Sequence, residues 1–77
     1  MAGKKEVPMY GTVKEVTEDG VLLETTSHGD VLCRLPEGMV APMEGDLIMV
    51  WFNGVMTMSL PGQINVLAWE VVTMTTR

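Results

Sequence analysis

A chain of 77 residues has room for one domain, and its formal net charge of −5 does not favour binding to phosphate groups. The hydrophobic fraction is 47%, yet no apolar run approaches the ~18 residues of a transmembrane helix. The basic start is followed by Glu6 and Pro8 instead of a hydrophobic signal segment, so we expect a cytoplasmic protein as written, or an extracytoplasmic or lipid-anchored one if a leader was removed.

The content of reactive residues argues against several kinds of chemistry. Cys33 is the only cysteine and His28 the only histidine, so neither a disulfide within the chain nor a histidine-based metal site is expected. No nucleophile stands beside a base, and no calcium-loop spacing is present. We therefore expect no enzyme activity, no cofactor and no metal. A domain this short is marginally stable, and homo-oligomerisation is one way to stabilise it.

Strand signals dominate the chain, because Thr and Val are plentiful and Gly or Pro interrupts every ten residues or so. In the first strand, valines out of strict alternation predict a bulge near Lys14 and Glu15. Asp19-Gly20 predicts a type I′ turn after it. The five predicted strands run over residues 9–17, 21–26, 31–35, 46–52 and 64–74.

Two longer connections interrupt this pattern. Residues 36–44 contain two prolines and Gly38, and their apolar side chains are expected to plug one end of a barrel. Asn53-Gly54 begins the second connection, in which Pro61-Gly62 predicts a further turn. The sequence thus predicts a five-stranded OB-like barrel over residues 8–74, with a flexible tail at 1–7 and a frayed end at 75–77. An SH3-like barrel is the alternative, since the two differ mainly in strand order.

A family resemblance rests on several short segments and their spacing. They are Gly11-Thr12-Val13, Val21-Leu22-Leu23, the run from Glu44 to Trp51, Asn53-Gly54, and Ser59, Pro61 and Gln63 in a Ser-x-Pro-x-Gln pattern. Over about residues 9 to 73 the chain resembles the YobA-like bacterial domains of unknown function, which tend to carry an aromatic residue where Leu60 stands here. The resemblance implies a small OB-like barrel, often exported or lipid-anchored, with no assigned activity and no catalytic residues.

The region from the fourth strand through the connection after it is the candidate binding surface. Trp51 and Phe52 are neighbours in a strand and must point to opposite faces, so one of them lies outward, under a loop or against a partner. The polar residues around the turn either satisfy loop amides or form the rim of an apolar pocket. The predicted site residues are Trp51, Asn53, Met58, Ser59, Pro61, Gln63 and Trp69.

These residues predict a non-catalytic binding or protein-interaction module for a protein, a peptide or a small uncharged ligand. The alternative is an OB domain that binds single-stranded nucleic acid. Such domains combine stacking aromatics with a positively charged groove. Only Lys14 and Arg34 are basic within the body of the chain, which argues against nucleic acid.

Overall fold

The computed structural model describes residues 6–72, and within them the chain forms five β-strands and no helix. The strands are β1 (Val7–Val16), β2 (Gly20–Thr25), β3 (Gly29–Arg34), β4 (Leu47–Phe52) and β5 (Gly62–Val71). The first strand begins at Val7, the last residue of the predicted tail. The predicted frayed end at 75–77 and the rest of the tail up to residue 5 lie outside the described residues.

The strands close into a barrel in the order β1-β2-β3-β5-β4, with β4 returning to β1. Neighbouring strands are antiparallel except β3 and β5, which run parallel from Val31 beside Gly62 to Arg34 beside Asn65. The all-β prediction is confirmed, and this strand order is that of the OB-like barrel rather than of the SH3-like alternative.

Alternation along the strands builds the core. In β4, Ile48, Val50 and Phe52 point inward and are buried, while the residues between them lie half-buried on the outer face. The buried apolar residues are Met9, Val13, Val21, Leu23, Val31, Cys33, Ile48, Val50, Phe52, Ile64 and Val66. They come from all five strands, so the core is the barrel interior.

The connection between β3 and β4, residues 35–46, closes one end of the barrel as predicted. Leu35, Met39 and Ala41 pack against the core. The Trp69 indole N–H donates a 2.9 Å hydrogen bond to the Val40 carbonyl, which holds this connection to β5.

The predicted bulge in β1 is confirmed by a register shift between Val13 and Glu15. The predicted type I′ turn is wrong, because positive φ angles occur at Gly29, Gly38, Gly45 and Gly54 but not at Gly20. Gly20 is needed there for space instead. A Cβ at this position would lie 2.0 Å from the Cys33 carbonyl oxygen.

Candidate functional site

A surface groove of about 600 Å³ lies between the connection from β4 to β5, called here the 53–61 loop, and the β2–β3 hairpin. Leu22 of β2, together with Met56, Leu60 and Pro61 of the loop, supplies apolar walls. The polar residues that line the groove include Thr57, Ser59, His28 and Asp30. A concave apolar site with a few polar groups is the usual composition of a ligand-binding pocket.

The loop begins with a turn whose chemistry is local. The Asn53 side-chain oxygen accepts a 3.0 Å hydrogen bond from the Val55 amide. Gly54 between them has φ of 91°, a conformation that favours glycine. Asn53-Gly54 therefore turns the chain out of β4, although no strand pairs back immediately after it.

Hydroxyl groups hold the second half of the loop. Thr57 Oγ1 accepts a 3.0 Å hydrogen bond from the Gln63 amide, and the Thr57 amide donates to the Gln63 carbonyl at 3.0 Å. Thr57 Oγ1 also lies 2.7 Å from Ser59 Oγ, which donates to the Pro61 carbonyl at 2.9 Å. The loop conformation is thus determined by its own polar groups, as expected of Ser and Thr in turns.

One loop side chain anchors this structure to the barrel. Met56 is half-buried and packs against the core. It lies directly over Gly62, where an added Cβ would be 2.8 Å from the Met56 sulfur. The absence of a side chain at Gly62 lets the loop approach the start of β5 closely.

The two apolar residues beyond this anchor extend into solvent. Met58 and Leu60 are both 98% exposed, more than any other large hydrophobic residue of segment 6–72. Met58 and Leu60 stand two and four residues after the anchored Met56. The loop therefore displays two apolar side chains on a backbone held by hydrogen bonds.

Charges near the groove are partly neutralised. Lys14 Nζ lies 2.9 Å from Asp30 Oδ2, with the two side chains 48% and 39% exposed. The hydrogen bond from Lys14 to Asp30, followed by the negative charge of that carboxylate, raises the pKa of Lys14. At the hairpin tip, Ser27 Oγ is 2.8 Å from His28 Nδ1 on the exposed surface.

Two of the seven predicted site residues, Ser59 and Pro61, line the groove. Asn53 and Met58 belong to the 53–61 loop without lining the groove, and Gln63 lies at the start of β5 beside it. The predicted alternative for the polar groups also applies, since Asn53 and Ser59 both bond loop backbone atoms.

The two tryptophans are not brought together. Trp51 lies half-buried on the outer face of β4, between Pro8 of β1 and Ala68 of β5. Trp69 lies opposite Val50, a core residue, so it faces the barrel interior near the end closed by residues 35–46. Opposed residues on paired strands share a face, so the two indoles are on opposite faces of the sheet.

Sequence reasoning missed the β2–β3 side of the groove. Leu22, His28 and Asp30 line it, but none was a predicted site residue. Leu22 offered a signal, because it lies on the outward-facing side of a strand where a polar residue is usual. Only the closure of the barrel places this face next to the 53–61 loop.

Other chemically capable residues are placed without an evident reactive role. Cys33 is free and buried, and burial raises the pKa of its thiol to about 12, so at neutral pH the reactive thiolate form is scarce. Residues 6–72 contain no group of three His, Cys, Asp or Glu side chains placed to hold a metal ion. Within the same residues no helix is long and apolar enough to cross a membrane.

The fold has a counterpart among solved structures. The yobA protein from Bacillus subtilis subsp. subtilis str. 168 matches with a TM-score of 0.80 over 94% of this chain and 100% of that chain, at 17% sequence identity. This chain has the fold of the yobA protein. The predicted resemblance is thereby confirmed for the fold, which is all that a likeness at this identity establishes. No protein-family model matches the sequence, and a comparison with curated proteins finds no match.

Proposed function

We propose that this protein is a non-catalytic binding module that engages a protein, a peptide or a small uncharged ligand at the groove beside the 53–61 loop. The observation that carries the proposal is the 98% exposure of Leu60, which lines this groove, and of Met58, which stands two residues before it in the same loop. Exposing large apolar side chains to water is unfavourable, and contiguous exposed apolar surface marks interaction sites.

The hydrogen bonds of the loop support the same proposal. Thr57 and Ser59 hold the backbone in place before any ligand arrives. A preorganised surface loses less conformational entropy on binding and therefore binds more tightly. Methionine adds adaptability, because its unbranched thioether repacks around different partners.

The charges near the groove favour an uncharged ligand over nucleic acid, the alternative that the OB-like fold suggests. Lys14, the cation close to the groove, already pairs with Asp30. Glu24 lies beside Asp30 on the outer face of β2 and β3. A nucleic-acid groove needs unpaired positive charge to replace counterions along the phosphate backbone. We therefore propose no nucleic-acid function.

The experiment that tests the groove is nuclear magnetic resonance with small uncharged probes: isopropanol, phenol and N-methylacetamide. Shift changes are expected to concentrate at Leu22, Met56, Leu60 and Gly62. In the variant Leu60→Ser, probe affinity at these residues is expected to fall while the protein stays folded, since this side chain lines the groove and is exposed.

The matched control is Met43→Ser. Met43 is 72% exposed and lies in the connection between β3 and β4, at the opposite end of the barrel. Its replacement is expected to leave probe binding unchanged. Equal probe shifts over all exposed apolar residues, or no effect of Leu60→Ser, would reject the groove as a binding site.

A further inference from the structure

The outer half of β5 has a free hydrogen-bonding edge. β5 pairs with β3 only from Gly62 to Asn65 and with β4 from Val66 to Val71. Beyond Arg34 the chain leaves β5, because the Leu35 amide bonds to the Asp19 carbonyl in the turn after β1. No strand of the described chain therefore lies beside residues 67–71 on that side.

The phase of the β4–β5 ladder identifies the free backbone groups. The Val72 amide donates to the Leu47 carbonyl at 2.8 Å, so every second residue before Val72, namely Glu70 and Ala68, also faces β4. The amides and carbonyls of Trp69 and Val71 then point to the open edge. Within residues 6–72 these four groups have no backbone hydrogen-bond partner.

Proteins protect such edges with proline, lysine or a covering segment. The 35–46 connection reaches β5 through the Trp69 indole and leaves the backbone groups of Trp69 and Val71 unbonded within residues 6–72. The corresponding free stretch of β1 carries Pro8, which has no N–H to donate. Residues 67–71 contain no proline and no lysine, and Leu67 and Val71 are 47% and 46% exposed. Glu70 is the one charged residue there.

We propose that the open edge of β5 binds an extended segment of another protein by antiparallel strand addition, with Lys or Arg opposite Glu70 and an apolar residue opposite Ala68. Glu70 is exposed and has no ion-pair partner within the described chain, so a cation across the ladder is complementary to it. Ala68 is small and lies beside Trp51, which leaves room for an apolar side chain against the indole.

A second copy of this chain fits the edge less well. The symmetric register in which both copies use the groups of Trp69 and Val71 places Glu70 directly opposite Glu70 of the other copy. Like charges directly opposite each other destabilise a strand pair. The partner strand is therefore basic where this one is acidic. This inference does not depend on the groove, because the groove reaches β5 at Gly62 and the open edge lies at the other end of that strand.

The test uses the full chain and a fluorescein-labelled, capped peptide, Ser-Thr-Lys-Val-Ile-Thr-Ser, whose Lys opposes Glu70 and whose Ile opposes Ala68. Binding is followed by fluorescence anisotropy, and the Trp69 and Val71 amides are expected to gain protection from hydrogen exchange. Methylating the peptide nitrogens that face Trp69 and Val71 is expected to weaken binding roughly tenfold or more, because two hydrogen bonds are lost.

A charge exchange separates this contact from general stickiness. Replacing the peptide Lys by Glu is expected to weaken binding roughly fivefold, and the protein variant Glu70→Lys should restore it. Leu60→Ser, which alters the groove, should leave peptide affinity unchanged. Equal binding of the methylated peptide, protection confined to the 53–61 loop, or a peptide-free dimer that tightens in Glu70→Ala would each overturn the proposal.

Discussion

The two long connections of the barrel have similar apolar content and differ in how much of it packs against the core. Residues 35–46 pack Leu35, Met39 and Ala41 against the core, whereas the 53–61 loop packs only Met56 and leaves Met58 and Leu60 almost fully exposed. The difference follows from the barrel ends, since the loop end is already filled by Phe52 and by Met56, the anchor of the loop.

The largest expected effect is a difference in the free energy of unfolding between variants of two methionines, one packed on the core and one exposed. Met39→Ala should lower the free energy of unfolding by roughly 1–2 kcal/mol, because a partly buried side chain leaves a gap at the barrel end. Met58→Ala should change it by less than about 0.5 kcal/mol, since the side chain contacts little. Urea unfolding of both variants measures the difference. Equal losses would remove the distinction between a structural connection and a display loop.

A second prediction concerns how residues 35–46 are attached. Trp69→Phe removes the indole N–H that bonds the Val40 carbonyl and should cost about 1 kcal/mol of stability. Trp51→Phe is the matched control, because this indole has no hydrogen-bond partner within residues 6–72 and lies on the outer face. Urea unfolding followed by circular dichroism compares them. A greater loss in Trp51→Phe would mean that the outer face, not the Val40 contact, stabilises this region.

A smaller effect is expected from loosening the display loop itself. Thr57→Val keeps the side-chain shape and removes the oxygen that accepts from the Gln63 amide, at a cost of about 0.5–1 kcal/mol. Hydrogen exchange at Gln63 should accelerate, while exchange in residues 35–46 stays unchanged. Thr26→Val, at an exposed residue of the β2–β3 hairpin, serves as the control. Unchanged exchange at Gln63 would contradict a loop held by Thr57.

The smallest expected effect comes from the ion pair between Lys14 and Asp30 near the groove. Because the pKa of Lys14 is raised in the folded state, the pair contributes stability below pH 10.5 and loses it as the pH rises through the folded value. Both partners are partly exposed, so the contribution should also weaken with salt. Resonances of the Lys14 side chain in a pH titration measure this. A midpoint at or below 10.5, or no downward change in Asp30→Asn, would contradict the pairing.

Local sequence patterns were sufficient for much of the fold. Alternation predicted all five strands and the placement of Trp51 and Phe52 on opposite faces, and irregular spacing of valines predicted the bulge in β1. Turn chemistry was less reliable. Gly20 was predicted to provide a positive φ angle in a turn. It is needed instead because a side chain there would clash with the Cys33 carbonyl.

The candidate site was predicted in part and remains a prediction. Asn53 and Ser59 were recognisable because loop polar side chains act within a few residues of their own position. Trp69 could not be assigned to a face from its sequence, because the extra residue of β5 near Leu67 reverses the alternation after it. That irregularity separates Trp69 from Trp51.

The sequence by itself determined the strands, the apolar core and the position of the 53–61 loop, since these depend on period-two patterning and on turn residues a few positions apart. Only the tertiary structure decided that Leu22 and Asp30 face that loop, that β3 runs beside β5, and that the far half of β5 has an open edge. These features arise from pairing between residues distant in sequence, and local patterns carry no information about which distant strand becomes a neighbour.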